Sequence, residues 1–134
     1  MTSRGCPQTC TFCCRSMGQR IRARSADNVL AEIEHLVRDY RIDEIYFEDD
    51  NFTVDRERAL AILRGIRDNF PALFIKFANG LRADRVDGEI LSAIREAGGY
   101  WIGFGVESGS QRVLTLMKKR LDLDKVRKNV SRAK

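Results

Sequence analysis

Outside one nine-residue stretch this 134-residue chain has no cysteine, and it contains one histidine and two prolines. No P-loop, nucleophile elbow or H-E-x-x-H pattern occurs, which excludes the commonest phosphate-binding, hydrolase and zinc-protease signatures. The single histidine, His35, lies in an amphipathic helical stretch remote from the cysteines and reads as structural. No segment approaches the roughly 18 apolar residues of a membrane-spanning helix, and no apolar h-region follows the N-terminus. These absences predict a cytoplasmic protein without membrane insertion. There is no internal repeat, low-complexity tract or linker rich in Pro, Gly or Ser, so a single domain over residues 1–134 is expected. Hydrophobic residues at 43% and charged residues at 32% describe a globular chain rather than a disordered or collagenous one.

What is present begins with charge. The formal net charge is +5. Arg15, Arg20, Arg22 and Arg24 follow the cysteines, and Lys118, Lys119, Arg120, Lys125, Arg127, Lys128, Arg132 and Lys134 crowd the C-terminus. Such a run reads first as a solvated helix face and second as a surface for nucleic acid or an anionic substrate.

The hydrophobic pattern alternates between helix and strand. Residues 27–40 place Val29, Leu30, Ile33, Leu36, Val37 and Tyr40 on one stripe, with Ser25 or Asp27 as N-cap. Ile42 to Phe47 reads as a strand running into Glu48-Asp49-Asp50-Asn51. Asp55 caps a second helix carrying Ala59, Ile62, Leu63 and Ile66, which Asn69-Phe70-Pro71 stops. Leu73 to Ala78 is the next strand; Asp87 opens a third helix, closed by Gly98-Gly99; Tyr100 to Glu107 is a further strand. Ser110 opens a helix with Val113, Leu114 and Met117, and a basic helical segment over 122–134 starts near Asp122 or Asp124. Strand starts about thirty residues apart are the length of βα units with parallel crossovers. The expected fold class is therefore α/β, with parallel (βα) repeats.

In parallel α/β sheets, chemistry gathers at the carboxyl ends of the strands. A remnant strand at residues 2–4 leads to Cys6, Cys10 and Cys13; the next strand leads to Glu48 through Asn51; the third to Asn79, Gly80 and Arg82; the fourth to Glu107, Ser108 and Gly109. For Asp55, Asp87 and Ser110 a helix cap or a solvated turn is preferred. The loop from Cys6 to Cys14 holds C-x3-C-x2-C, three thiols on one short loop rather than the four ligands that close a structural zinc site. Soft thiolates suit zinc or iron-sulfur clusters, and a 4Fe-4S cluster held by three cysteines leaves one iron open. Cys14, next to Cys13, is expected to point elsewhere as a small packed residue. The glycines of "GFGVESG" are wrongly spaced for a dinucleotide fingerprint.

The stretch "SRGCPQTCTFC" resembles the cluster loop of the radical S-adenosylmethionine (radical SAM) superfamily, and "EIYFEDDNFTVD" and "GFGVESGS" are similar to its cobalamin-dependent and methylthiotransferase-like branch. The likeness runs from about Ser3 to Lys118. It implies that Cys6, Cys10 and Cys13 ligate a 4Fe-4S cluster whose open iron binds S-adenosylmethionine. Reductive cleavage would then give a 5'-deoxyadenosyl radical for methylation, methylthiolation or cyclisation of a small-molecule or macromolecular substrate. Most of the family has Gly-Gly-Glu after the second strand; Glu48-Asp49-Asp50 stands there in this chain, and Asp49 and Asp50 are favoured as partners of the methionine ammonium. Phe12 would lie by the adenine, and Asn79, Arg82, Glu107 and Ser108 are candidates for the ribose hydroxyls and the methionine carboxylate. Arg82 fits a surface ion pair equally well.

The resemblance further implies a partial TIM barrel of six units, of which about four are encoded here, as an excerpt of a longer protein with an electron donor such as flavodoxin or ferredoxin as partner. Cobalamin would come through a domain outside this chain. An open half-barrel is expected to self-associate. The rival class is a zinc- or nucleic-acid-binding module without catalysis, which leaves "FEDDN" and "VESG" unexplained. An electron-transfer iron-sulfur site would want a fourth cysteine at ligand spacing.

Overall fold

The computed structural model describes residues 1–14 and 16–133. Arg15 and Lys134, named above in the basic clusters, lie outside the described residues. The elements in chain order are β1 (Ser3–Arg4), β2 (Arg22–Ala23), α1 (Ala26–Tyr40), β3 (Glu44–Tyr46), α2 (Arg56–Asn69), β4 (Phe74–Leu81), α3 (Gly88–Glu96), β5 (Gly99–Phe104), α4 (Gln111–Leu116) and α5 (Leu123–Ala133), with 3-10 turns at Phe52–Val54 and Ala83–Arg85. Strands β3, β4 and β5 form a parallel sheet in sequence order, as the thirty-residue rhythm predicts.

Capping explains the helix boundaries. Ser25 Oγ accepts the Asn28 N–H, Asp55 accepts that of Arg58 and Asp87 that of Ile90, each satisfying a donor that the first helical turn leaves unpaired. Asp122 Oδ1 does the same for Asp124 and Lys125 at α5. Ser110 stands at the N-cap of α4 but makes no side-chain cap bond; Ser108 Oγ accepts the Ser110 N–H instead. Gly98 ends α3 at φ +83, and a Cβ there would stand 2.1 Å from the Leu73 carbonyl oxygen, so the turn back into the sheet needs glycine.

The core lies between the sheet and the helices α1 to α3. Val29 and Ile33 of α1, Leu60, Ile62, Leu63 and Ile66 of α2, and Ile90 and Ile94 of α3 pack against Phe47, Ile75 and Phe77. Phe47, Phe52 and Phe77 form an aromatic trio with ring centroids 4.9 to 5.1 Å apart. A second cluster of Ala83, Leu114, Leu121 and Val126 joins α4 and α5 to the end of β4, and Asn129 fixes α5 by donating to the Ala83 carbonyl at 2.7 Å.

Strand bounds and pairing differ from the sequence reading, and β3 is limited to Glu44–Tyr46. β4 runs on through Asn79 and Gly80 to Leu81, with a register irregularity between Phe77 and Leu81 where Gly80 takes φ +82. β5 stops at Phe104, so Glu107 lies in a loop with φ +70. The N-terminal strand pairs antiparallel with β2, Ser3 opposite Ala23 and Arg4 opposite Arg22. The cysteine loop is therefore closed by its own two-stranded stem. Among the described residues no helix is long and apolar enough to cross a membrane.

Candidate functional site

The cysteine loop is held at three points. At its stem the Cys6 N–H donates to Gly18 O at 3.1 Å, and the Gly5 N–H donates to Asp50 Oδ2 at 3.0 Å. Gly5 takes φ +89, and a Cβ on it would approach Arg20 O to 2.3 Å, so only glycine lets the chain enter the loop here. At its far side the Thr11 N–H donates to Met117 O at 3.0 Å, docking the loop on the end of α4. None of the four cysteines is in a disulfide; Cys10 is buried, Cys6 half-buried, and Cys13 and Cys14 are exposed. Burial and then the neighbouring Cys10 push the Cys13 thiol up from its ordinary value, while Lys119 pulls it down.

The loop roofs a cavity of about 280 Å³ at the carboxyl ends of the strands. Cys6, Cys10, Cys13 and Cys14 line it together with Asp50, Asn79, Arg82, Glu107 and Lys119. The expectation that Cys14 points elsewhere is thus corrected: it lines the same cavity as the other three thiols. Among the described residues no three Cys, His, Asp or Glu side chains converge closely enough to hold a single metal ion. The soft thiolates of Cys6, Cys10 and Cys13 at one cavity are a donor set that suits an iron-sulfur cluster.

The candidate ligand contacts divide. Asp50 is exposed at the cavity with one carboxylate oxygen holding the loop. Asn79 lines the cavity and donates its amide to Asp49 O at 3.1 Å. Asp49 does not face the cavity: it is 2% exposed, and its carboxylate accepts the Thr2 N–H at 2.9 and 3.1 Å, Thr2 Oγ1 at 2.7 Å and Ser3 Oγ at 2.6 Å. Arg58 completes that anchor, donating to Thr2 O at 2.8 Å and to Arg24 O at 2.6 Å. The favoured Asp49 contact to a ligand is corrected: this carboxylate pins the N-terminal strand to the sheet. Ser108 is taken up in the turn before α4 and does not line the cavity, and Phe12 is exposed on the loop. Arg82 lines the cavity, yet its guanidinium is committed to Asp84, with Nε to Oδ1 at 3.0 Å and Nη2 to Oδ2 at 2.9 Å.

Lys119 is the residue that sequence reading missed. It sits within the basic run read as a solvated face, but it is 8% exposed, and its ammonium meets Glu107 Oε1 at 3.1 Å and lies 5.3 Å from the Phe12 ring centroid. A burial of this kind is rare for lysine unless paired. No sequence period signals it, since Val113, Leu114 and Met117 carry the helical stripe and Lys119 lies beyond the end of α4. His35 is half-exposed on α1, paired with Asp39 at 2.7 Å, consistent with its structural reading.

Parallel βα units thus present a three-thiol loop at the carboxyl rim of a three-stranded sheet. Residues 1–134 match the radical SAM superfamily, and the chain belongs to it. It is 39% identical over 127 residues to cytidylyl-2-hydroxyethylphosphonate methyltransferase of Streptomyces wedmorensis, covering 92% of this chain and 23% of that protein. The cobalamin-dependent S-adenosylmethionine radical enzyme OxsB, solved with aqua-cobalamin and S-adenosylmethionine bound, superposes with a TM-score of 0.83 at 25% identity, over 98% of this chain and 21% of that one. The radical S-adenosylmethionine methyltransferase TsrM from Kitasatospora setae, solved with cobalamin and a [4Fe-4S] cluster, shares the fold with a TM-score of 0.87 at 20% identity, over 98% of this chain and 25% of that one. The chain spans about a quarter of the length of the curated relatives it matches.

Proposed function

We propose that this chain is the cluster- and cofactor-binding part of a cytoplasmic radical SAM enzyme that modifies its substrate, with methyl transfer the outcome best supported by the relatives' names. The observation that carries the reading is the meeting of all three C-x3-C-x2-C thiols with Asp50, Asn79, Glu107 and Lys119 around one cavity. When bound, a 4Fe-4S cluster with one open iron and S-adenosylmethionine supply one-electron cleavage to a 5'-deoxyadenosyl radical, chemistry that belongs to the cofactors.

The chain's own residues bind and orient. Cys6, Cys10 and Cys13 are the cluster ligands. Asp50 keeps one oxygen on the Gly5 N–H and offers the other to the methionine ammonium. Lys119, rather than Arg82, is the cation for the methionine carboxylate, because its ammonium has, among the described residues, Glu107 as its one ion-pair partner at the cavity, whereas the Arg82 guanidinium is held by both oxygens of Asp84 and by two backbone carbonyls. Glu107 and Asn79 serve the ribose hydroxyls, and Phe12 shields the loop side of the cavity. Cobalamin and an electron donor of the flavodoxin or ferredoxin kind act through parts of the protein and partners outside this chain.

The test is anaerobic reconstitution with iron and sulfide, followed by electron paramagnetic resonance of the dithionite-reduced chain with and without S-adenosylmethionine. A reduced 4Fe-4S signal that shifts with the cofactor and vanishes in Cys10→Ala is expected. Stoichiometric zinc with no cluster would replace this reading with that of a zinc-binding module.

A further inference from the structure

The sequence offers Arg82 as a ligand contact, and the structure gives its guanidinium other work. Besides the two bonds to Asp84, Nη1 donates to Lys119 O at 3.2 Å and Nη2 to Arg120 O at 3.3 Å, with the side chain only 10% exposed. The turn it grips has backbone that non-glycine residues seldom adopt: Lys118 at φ 53 and Arg120 at φ 52. Two left-handed residues flanking Lys119 turn Lys118 and Arg120 outward and Lys119 inward, as their exposed, buried, exposed sequence records. Such a turn persists only when its surroundings over-determine it. Here the Lys119 N–H donates to Leu114 O at 3.0 Å, Met117 O receives the cysteine loop, and Arg82 takes the two carbonyls that follow.

We infer that Arg82 is a positioning residue: oriented by Asp84, it braces the strained 118–120 turn through its carbonyls and so holds the Lys119 ammonium in the cysteine cavity. The planar fork of arginine reaches one carboxylate and two carbonyls together, which a lysine ammonium on a flexible stem does not reproduce. Arg82 thereby acts on a bound carboxylate through Lys119 without touching it. This rests on the proposed reading of Lys119 as the carboxylate's partner, and the test separates the two.

Calorimetric titration of the anaerobically reconstituted chain compares S-adenosylhomocysteine, which carries the carboxylate and the ammonium, with 5'-methylthioadenosine, which lacks both. Tighter binding of the first by the unsubstituted chain is expected, and equal affinity for the two would overturn the Lys119 reading itself. Given that preference, Arg82→Gln should weaken S-adenosylhomocysteine about tenfold, the loss of one well-placed charge-assisted contact, and change methylthioadenosine less than about twofold. Lys119→Met should match it, and the double variant should lose no more than Lys119→Met alone, since the two act as one unit. Arg82→Lys should fail to restore affinity. Losses that add in the double variant, or equal weakening of both ligands, would overturn the positioning role while leaving Lys119 in place. Should Arg82→Gln fail to fold, Asp84→Asn, which frees the guanidinium from its orienting acid, carries the same ligand-selective prediction.

Discussion

Replacing Asp49 by Asn separates an anchoring carboxylate from a ligand-binding one. Three donors converge on this buried side chain: the Thr2 N–H, Thr2 Oγ1 and Ser3 Oγ. In the amide, Oδ1 can still accept the hydroxyls and the Thr2 N–H, 3.1 Å away, but Nδ2 is a buried donor facing that same N–H at the position where Oδ2 now lies 2.9 Å away. Two donors then oppose each other, and leaving one buried donor unpaired costs about 1–3 kcal/mol. The two hydroxyl bonds also lose the added strength of a charged acceptor, and the half-buried Arg58 loses the nearby negative charge that offsets its burial. Together about 3 kcal/mol is expected, a large fraction of the roughly 5–15 kcal/mol that stabilises a domain. With a urea dependence of about 1–3 kcal/mol per molar, the midpoint should fall by about 1 M or more. The assay is urea unfolding followed by circular dichroism, with Asp50→Asn in parallel; that exposed residue holds one backbone N–H and should shift the midpoint little. An unchanged midpoint for Asp49→Asn combined with weakened S-adenosylhomocysteine binding would refute the anchoring argument.

Two further outcomes concern the framework. Asp87→Ala removes the cap of α3 and should cost about 1 kcal/mol in the same unfolding assay. The Asp87 carboxyl is held below its ordinary value first by the Ile90 N–H and further by Arg56, while burial opposes the shift. Its contribution is therefore complete above about pH 4, the unfolded carboxyl's range, and is lost as pH falls through the lowered folded value; an equal acid sensitivity in Asp87→Ala would contradict this. Gly98→Ala forces a Cβ to 2.1 Å from Leu73 O at positive φ, and thermal unfolding should register a loss of about 2–3 kcal/mol, where retention of the midpoint would argue against the tight turn.

Local rules carried most of the framework. Asp55 and Asp87 cap the helices they precede, the apolar stripes of α1, α2 and α3 face the core, and the parallel order of β3, β4 and β5 follows from their spacing. The C-x3-C-x2-C spacing is equally visible in the sequence, because it lies within a few residues of the chain. For Asp49 and Arg82 the error came because each side chain's partner is distant in sequence. Asp49 meets Thr2 across 47 positions, Arg82 meets Lys119 across 37, and the cysteine loop meets Met117 across 106.

The sequence by itself determined the α/β alternation, the helix caps and the three-thiol loop, since each rests on interactions within a few residues of the chain. Tertiary structure alone decided which polar groups on the rim are free to meet a ligand. A carboxylate or guanidinium can be spent on the fold or offered to the cavity, and that choice depends on which donors and acceptors the packed elements bring within about 3 Å. Asp49 and Arg82 are spent on the protein, and Lys119, drawn from a surface-like run of basic residues, is turned inward by the backbone on either side of it.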